Sequence, residues 1–181
     1  MVFTLFRRSS VAAMISASLG GSVAMAADAS LPGGASSLRE SYGDWLVNCA
    51  VTGQGSQARK ACAMQQEQKD AKSGQRVVAM ELRTSPGSNV ATFILPFGLD
   101  LAAGATLQID DGAKGQVLPF RTCLPAGCVV SSNIEPRMLA SLRNATSLKI
   151  YAKADGGRDM MFPLSLSGFG SAYDRTVSLA K

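Results

Sequence analysis

The stretch Gly43-Asp44-Trp45-Leu46-Val47-Asn48-Cys49 divides the 181-residue chain into two parts of different character. It holds the only tryptophan and the first of four cysteines. The residues before it read as an export signal followed by a leader with little that a core could bury. The residues after it form short apolar runs separated by turn residues, and the other three cysteines lie among them. We therefore expect the folded part to begin at Tyr42.

Met1–Ala26 has the three parts of a secretory signal peptide. Arg7 and Arg8 supply the positive start, an uncharged apolar run follows, and Ala24-Met25-Ala26 matches the Ala-x-Ala cleavage rule. The alternative is a membrane anchor, but the run is shorter than the about 20 apolar residues that a spanning helix needs. We predict cleavage before Ala27, no transmembrane anchor in the mature chain, and a periplasmic or secreted location.

Residues 27–41 are rich in Ala, Ser and Gly, and this composition predicts a flexible leader. No internal repeat or long linker interrupts residues 42–181, so we predict a single domain there. The mature chain of about 155 residues is long enough to bury a proper core.

The net charge argues against a nucleic-acid partner. The full chain has 18 Lys and Arg against 13 Asp and Glu, and loss of Arg7 and Arg8 leaves an excess of three. These charges are spread singly along the chain and do not make the basic patch with interleaved aromatic residues that nucleic-acid binding needs. A weak attraction to anionic surfaces, such as lipid headgroups or polysaccharide, remains open.

The apolar pattern predicts an all-β fold, a β-sandwich with a barrel as the alternative. Asp110-Asp111-Gly112 and Asp155-Gly156-Gly157 each predict the turn of a hairpin between flanking strands. Pro136 and the one-sided spacing of the apolar residues after it predict the single short helix. The predicted strands cover residues 45–51, 60–68, 76–83, 90–95, 107–109, 117–120, 128–131, 148–154 and 160–166.

Four cysteines in an exported chain indicate two disulfides, for which three pairings are possible. We favour Cys49–Cys62 and Cys123–Cys128, because each pair is local in sequence. On the loop-entropy model the first bridge stabilises by about 3 kcal/mol and the second by somewhat less. The alternatives are a redox pair, which usually has two residues between its cysteines, and a zinc site, which needs closer pairing on both sides.

The chain has no histidine, which excludes Ser-His-Asp and Cys-His catalysis and removes the commonest transition-metal ligand. No Gly-rich phosphate loop follows a strand, and we predict no catalytic residue, no cofactor and no metal site. A hydrolase that uses two carboxylates is the remaining enzymatic alternative. Its candidates are weak, because Asp110 and Asp111 fit a turn, while Glu67 and Glu81 are expected to face solvent on alternating strands.

Aromatic residues and methionines are read mainly as core. Trp45 is either a stacking platform for a ligand or a core residue beside a disulfide, and we favour the core. Phe97, in the apolar turn Phe97-Gly98-Leu99, is expected to be buried, with a contact role as the alternative. The methionines expected to fill the core are Met64, Met80, Met138, Met160 and Met161.

Six short motifs lie in order between Tyr42 and Tyr173 and cover nearly all of the mature chain. They are 43–49, Cys62-Ala63-Met64, Leu95-Pro96-Phe97-Gly98-Leu99-Asp100-Leu101, Gly104 with Leu107-Gln108-Ile109-Asp110, Cys123 to Gly127-Cys128, and 164–172. In their order and spacing they resemble the invasion-associated locus B family. The resemblance implies an exported bacterial envelope protein with a role in host-cell invasion. It supplies no catalytic residues, because the family is not defined by an active site.

These observations favour a non-catalytic binding or envelope-associated module, whose partner is a protein or another component of the envelope or host surface. One alternative is an adhesin-like factor in host-cell invasion. The other is a carboxylate-dependent hydrolase of envelope polysaccharide. Two acidic side chains about 5 to 10 Å apart in a cleft would favour the hydrolase, and an exposed apolar patch or free sheet edge without such a pair would favour binding.

Overall fold

The computed structural model describes residues 30–181 of the chain. The predicted signal peptide and residues 27–29 lie outside these described residues, so cleavage before Ala27 stays a prediction. The strands are β1 (Ser37–Tyr42), β2 (Trp45–Thr52), β3 (Arg59–Lys69), β4 (Arg76–Ser85), β5 (Ser88–Leu95), β6 (Ala105–Ile109), β7 (Phe120–Leu124), β8 (Gly127–Asn133), β9 (Ser147–Lys153) and β10 (Asp159–Ser165), and the helices are α1 (Pro136–Asn144) and α2 (Phe169–Ala180).

The strands form two antiparallel sheets that pack as a sandwich. The larger sheet has seven strands in the order β1-β2-β3-β4-β5-β8-β7, and the smaller has three in the order β10-β9-β6. Strand β10 contacts β3 and β4, and helix α2 covers the same sheet over β1 to β4. Neither sheet closes on itself, so the predicted β-sandwich is confirmed and the barrel alternative is not.

Alternation along the large sheet places every second side chain in the core. In β2, Trp45, Val47 and Cys49 are at most 3% exposed, and the residues between them are half-buried. Each fully buried large apolar side chain contributes about 1.5–3 kcal/mol. The same alternation continues through β3, β4 and β5, which bury Met64, Val78, Met80, Leu82, Ala91, Phe93 and Leu95.

The stretch that opens the folded part is tied to the C-terminal motif. The Trp45 Nε1–H donates to the Ser165 carbonyl at 3.1 Å, and the Asp44 N–H donates to the Ser167 carbonyl at 3.1 Å. The Trp45 ring also meets the edge of Phe169, with centroids 5.1 Å apart and planes at 82°. The predicted core role of Trp45 is therefore confirmed, and its polar N–H is satisfied as a buried indole requires.

The prediction of a single helix is wrong, because α2 is a second one. Helix α1 lies where the sequence placed it, beginning at Pro136. Helix α2 buries Phe169, Ala172, Thr176 and Leu179 on one face. Its β-branched and aromatic residues have modest helix propensity, so packing on the sheet and not propensity determines this element.

The prediction of a flexible leader over residues 27–41 is wrong from Leu31 onward. Strand β1 pairs with β2 along its whole length, and Leu31 is only 2% exposed within the core. Arg175 of α2 donates two hydrogen bonds of 2.7 Å to the Glu40 carboxylate, which joins β1 to the helix. The segment is ordered by contacts with residues far along the chain that its composition does not reveal.

The first predicted hairpin is also wrong. Asp110-Asp111-Gly112 does turn the chain, but β6 pairs with β9, and the returning segment meets β6 only through two isolated bridges. The next strand begins at Phe120 and joins the large sheet beside β8, so the predicted strand 117–120 does not form. The second hairpin, around Asp155-Gly156-Gly157, joins β9 and β10 as predicted.

Candidate functional site

The candidate site is a set of loops at one end of the sandwich, beginning where β5 ends. Leu95 is 1% exposed and Leu99 is 8% exposed, whereas Phe97 and Leu101 are 62% and 46% exposed. The side chains thus alternate between core and solvent, as in a strand. Two buried leucines therefore anchor the loop while Phe97 and Leu101 extend from the surface.

Backbone hydrogen bonds hold this loop against the β9–β10 hairpin. The Asp155 N–H donates to the Gly98 carbonyl at 2.9 Å, and the Asp100 N–H donates to the Lys153 carbonyl at 2.8 Å. The Asp100 carboxylate accepts hydrogen bonds from the N–H groups of Ala102 and Ala103 at 3.0 and 3.3 Å. The loop is therefore fixed by its own main chain, so that a partner would meet a preformed surface.

The third exposed residue comes from the segment that follows β6. Leu118 and Ala105 exchange two backbone hydrogen bonds of 2.7 and 2.9 Å, which hold the neighbouring Val117 beside Gly104. A Cβ at Gly104 would lie 2.6 Å from a Val117 methyl, so glycine permits this close approach. Val117 is 62% exposed.

We call Phe97, Leu101 and Val117 the apolar loop surface. The prediction that Phe97 is buried is wrong: neighbouring elements cover the leucines on either side of it and leave the ring in solvent. Single exposed apolar residues are ordinary, but these three, one of them a large aromatic, lie on hydrogen-bonded loops at one end of the sandwich, where binding residues are often found.

Most of the methionines expected in the core are there. Met64 and Met80 are fully buried, and Met138 and Met160 are half-buried against the core. The prediction for Met161 is wrong, because it is 47% exposed on the solvent side of β10. This strand is at the edge of the smaller sheet, where nothing in the described residues packs over its outer face.

The four cysteines form the two disulfides that the sequence analysis favoured. Cys49 and Cys62 face each other across β2 and β3, with Cα atoms 4.1 Å apart. Cys123 and Cys128 face each other across β7 and β8, with Cα atoms 3.9 Å apart. No described cysteine is left as a thiol.

The acidic residues considered for catalysis have structural partners. Glu67 pairs with Arg76 at 2.7 Å and with Lys69 at 3.2 Å, while Glu81 pairs with Arg83 at 2.6 Å. Partial burial opposes ionisation of Glu67, but the hydrogen bonds from Arg76 and Lys69 outweigh it and hold the pKa of that carboxyl below its usual value.

Asp110 and Asp111 serve the turn in which they lie. The Thr146 hydroxyl and the Ser147 N–H donate to Asp110 at 2.8 Å each, and these bonds hold the pKa of its carboxyl below the usual range. Asp111 pairs with Lys149 at 2.7 Å. The described residues thus give the hydrolase alternative no support.

Two further features of residues 30–181 bear on the site. They contain no group of three or more cysteine, aspartate or glutamate side chains placed to hold a metal ion. In the same range, neither helix has the length and apolar character required to span a membrane.

Comparison with known proteins shows a consistent set of relatives. The family model described as "Invasion associated locus B (IalB) protein" matches residues 45–177. An invasion protein B homolog of Brucella abortus (strain 2308) is 45% identical over 155 residues, which cover 84% of this chain and 87% of that protein. Invasion protein B of Bartonella bacilliformis is 32% identical over 157 residues, covering 84% and 82%.

A solved structure shares the fold. The crystal structure of invasion associated protein B from Bartonella henselae superposes with a TM-score of 0.71 at 29% identity, over 78% of this chain and 96% of that one. These names refer to invasion and not to an enzymatic activity, and together with the two disulfides they indicate an exported protein. The family model covers strands β2 to β10 and most of α2, so the chain belongs to the invasion associated locus B protein family.

Proposed function

We propose that this protein is an exported, non-catalytic binding module that engages a component of the bacterial envelope or of a host-cell surface through the apolar loop surface. The observation that carries the proposal is the exposure of Phe97, Leu101 and Val117 on loops fixed by main-chain hydrogen bonds. Aromatic residues, phenylalanine among them, are enriched at protein interfaces, and a few anchor residues carry most of the binding energy there.

The relatives' names support a role in host-cell invasion. We infer that the binding event serves invasion and that the protein acts in the periplasm or after secretion. A secretory signal peptide is removed from the mature protein, so the intact mass of the protein recovered outside the cytoplasm is expected to match a chain that begins at Ala27. A mass that retains Arg7 and Arg8 would contradict this part of the proposal.

The test compares two truncations of exposed apolar side chains. Purified mature protein and its Phe97→Ala variant are titrated onto immobilised envelope vesicles of the producing bacterium and onto host-cell membranes. Loss of a contact worth about 2 kcal/mol weakens binding roughly 30-fold. Val90→Ala is the control, because Val90 is 37% exposed near the start of β5, at the opposite end of that strand from Phe97.

The proposal requires that Phe97→Ala binds weakly while its unfolding transition stays that of the wild type. Wild-type binding by the Phe97 variant on both membranes would overturn it. Equal losses in the Phe97 and Val90 variants would also overturn it, because they would show general hydrophobic adsorption and not a defined surface.

A further inference from the structure

The second candidate surface is the outer face of the large sheet, on the side away from α2 and the smaller sheet. The strand register places Arg39, Asn48, Ala63 and Arg83 in one row across β1, β2, β3 and β4. Adjacent strands lie about 4.8 Å apart, so this row extends about 14 Å. The row crosses the strands at right angles and forms the axis of the surface.

Small side chains lie on either side of this axis. Ala50 and Ala61 are register partners in the next row of the same face. Their side chains are much shorter than those of the neighbouring arginines. A cleft of about 1180 Å³ reaches this face from one end of the sheet: Asn48, Ala50, Ala61, Ala63, Glu81 and Arg83 line its margin, and most of its remaining wall comes from the β4–β5 turn, the start of α1 and the end of α2. Between the charged side chains, the outer face therefore has a floor of small alanine side chains.

This face carries more positive than negative charges. It carries Arg39, Arg59 and the Arg83–Glu81 pair, and at its far end Glu67 is flanked by both Arg76 and Lys69. Neither Arg39 nor Arg59 pairs with an acidic side chain among residues 30–181. Five cations against two carboxylates give an excess of three, most of the excess of four over residues 30–181.

The types of side chain on this face indicate which class of anionic ligand it could bind. The outward-facing residues of β1 to β4 include no aromatic ring on which a nucleic-acid base could stack. They also lack the exposed aromatic and aliphatic cluster that forms the centre of a protein interface. What they offer is guanidinium groups, the Asn48 amide and the Gln65 amide above a floor of alanines.

These groups match the chemistry of an acidic sugar chain. A guanidinium binds a carboxylate or sulfate through two parallel hydrogen bonds, and amides hydrogen-bond to sugar hydroxyls as both donor and acceptor. Binding groups that follow a single row about 14 Å long suit a thin flexible chain better than a broad membrane surface. We propose that this face, hereafter the arginine face, is a binding site for an acidic polysaccharide, distinct from the apolar loop surface and independent of its function.

The experiment measures binding of two defined probes to the purified mature protein. They are a heparin oligosaccharide, which is sulfated, and an oligogalacturonate, which carries carboxylates only. Titration calorimetry at low and physiological salt is expected to show micromolar to millimolar affinity that falls as salt rises, because exposed charge pairs are screened. A neutral dextran oligosaccharide is expected not to bind.

Two double variants with the same change in net charge separate the site from bulk charge. Arg39→Ser with Arg59→Ser removes the two cations of the arginine face that have no acidic partner. Arg137→Ser with Arg158→Ser is the control, since both arginines are exposed, lie on α1 and in the β9–β10 turn, and make no ion pair among the described residues. The first is expected to weaken binding at least tenfold, and the control less than twofold.

The positions perturbed by the probe provide a second, independent readout. Amide chemical shifts are expected to change along β1 to β4, in the rows of Arg39 and Ala61, and not at Phe97 or Val117. Equal losses in both double variants, shift changes elsewhere, or no binding of either oligosaccharide would overturn the proposal. So would a single-stranded DNA of the same charge that binds as tightly, because it would show a general polyanion surface.

Discussion

Gly168, in the C-terminal motif, packs directly against the backbone of Tyr42 and Gly43 at the start of the N-terminal motif. Its φ of +84° lies in the left-handed region, and a Cβ there would collide with the Tyr42 carbonyl oxygen and crowd Gly43. Gly43 faces the same constraint, since its own Cβ would lie 2.6 Å from the Ser167 carbonyl. The two glycines let the start of β2 and the start of α2 approach backbone to backbone.

We predict that Gly168→Ala lowers the free energy of unfolding by more than about 2 kcal/mol. Positive φ alone costs a non-glycine residue roughly 1–2 kcal/mol, and the collision with Tyr42 adds to it. Gly157→Ala is the matched control, because Gly157 has a φ of +85° with open space around its Cα. Urea titrations of both variants test the difference, and equal losses would show that the backbone approach carries no energy of its own.

Two phenylalanines four residues apart define a second prediction at this scale. Phe93 is 0% exposed and Phe97 is 62% exposed. Phe93→Ala is expected to lower the free energy of unfolding by about 3–5 kcal/mol, since it leaves a cavity, and Phe97→Ala by less than about 0.5 kcal/mol. Thermal unfolding followed by circular dichroism separates them, and a large loss for Phe97→Ala would mean that its ring is packed in solution.

Among the elements, those with a strong alternating pattern could be predicted from the sequence. In strands β2 to β5 and in the β9–β10 hairpin, alternate residues lie in the core. A repeat of two residues in the apolar pattern of the sequence indicates this arrangement. Helix α2 was missed although Phe169, Ala172, Thr176 and Leu179 are spaced for one helical face. Only four of its twelve residues are buried, and glycine and β-branched residues weaken the pattern.

The elements whose order depends on distant partners could not be predicted. Strand β1 is an edge strand held by β2 and by α2, and its own composition is that of a linker. The candidate site has the same origin. The alternation of Leu95, Phe97, Leu99 and Leu101 marks two faces, but the β9–β10 hairpin, some fifty residues later, decides which face is covered.

The contact between β1 and α2 gives a prediction at the element scale. Arg175 hydrogen-bonds to Glu40 and holds the pKa of that carboxyl below its ordinary value of 4.5. A carboxyl whose pKa is lowered by folding stabilises the protein above its unfolded pKa, and this contribution is lost as the pH falls through the folded value. Glu40→Gln is therefore expected to cost about 1 kcal/mol at pH 7 and progressively less below about pH 4.5.

The measurement is the free energy of unfolding of wild type and variant between pH 3 and pH 7, approximate limits that bracket the titration. Glu135→Gln provides the control, since Glu135 is exposed at the start of α1 and has no ion-pair partner among the described residues. Its difference from wild type should be small at every pH. If the loss of unfolding free energy in Glu40→Gln were as large at pH 3 as at pH 7, approximate limits of the titration, the charge of Glu40 would not be what stabilises the contact between β1 and the helix.

On the scale of the whole molecule, the two disulfides staple opposite sides of the large sheet. One joins β2 to β3, next to the edge strand β1, and the other joins β7 to β8 at the far edge. The edges of an open sheet are where strands separate first, because an edge strand has a neighbour on one side only. The second bridge therefore ties the edge strand β7 to its one neighbour, and the first lies one strand in from the other edge, between two strands that α2 also covers.

The two disulfides are expected to contribute different amounts to the free energy of unfolding, because they close loops of different length. The cysteines are 13 residues apart in the first bridge and 5 apart in the second. Loop closure then predicts a loss of about 3 kcal/mol for the double variant Cys49→Ala, Cys62→Ala and about 2 kcal/mol for Cys123→Ala, Cys128→Ala. Denaturant titrations under non-reducing conditions measure both, with the reduced wild type as the reference for loss of the two bridges together. A larger loss for the Cys123–Cys128 pair would show that the native hairpin at the β7 edge, and not the entropy of the unfolded chain, determines what a bridge contributes.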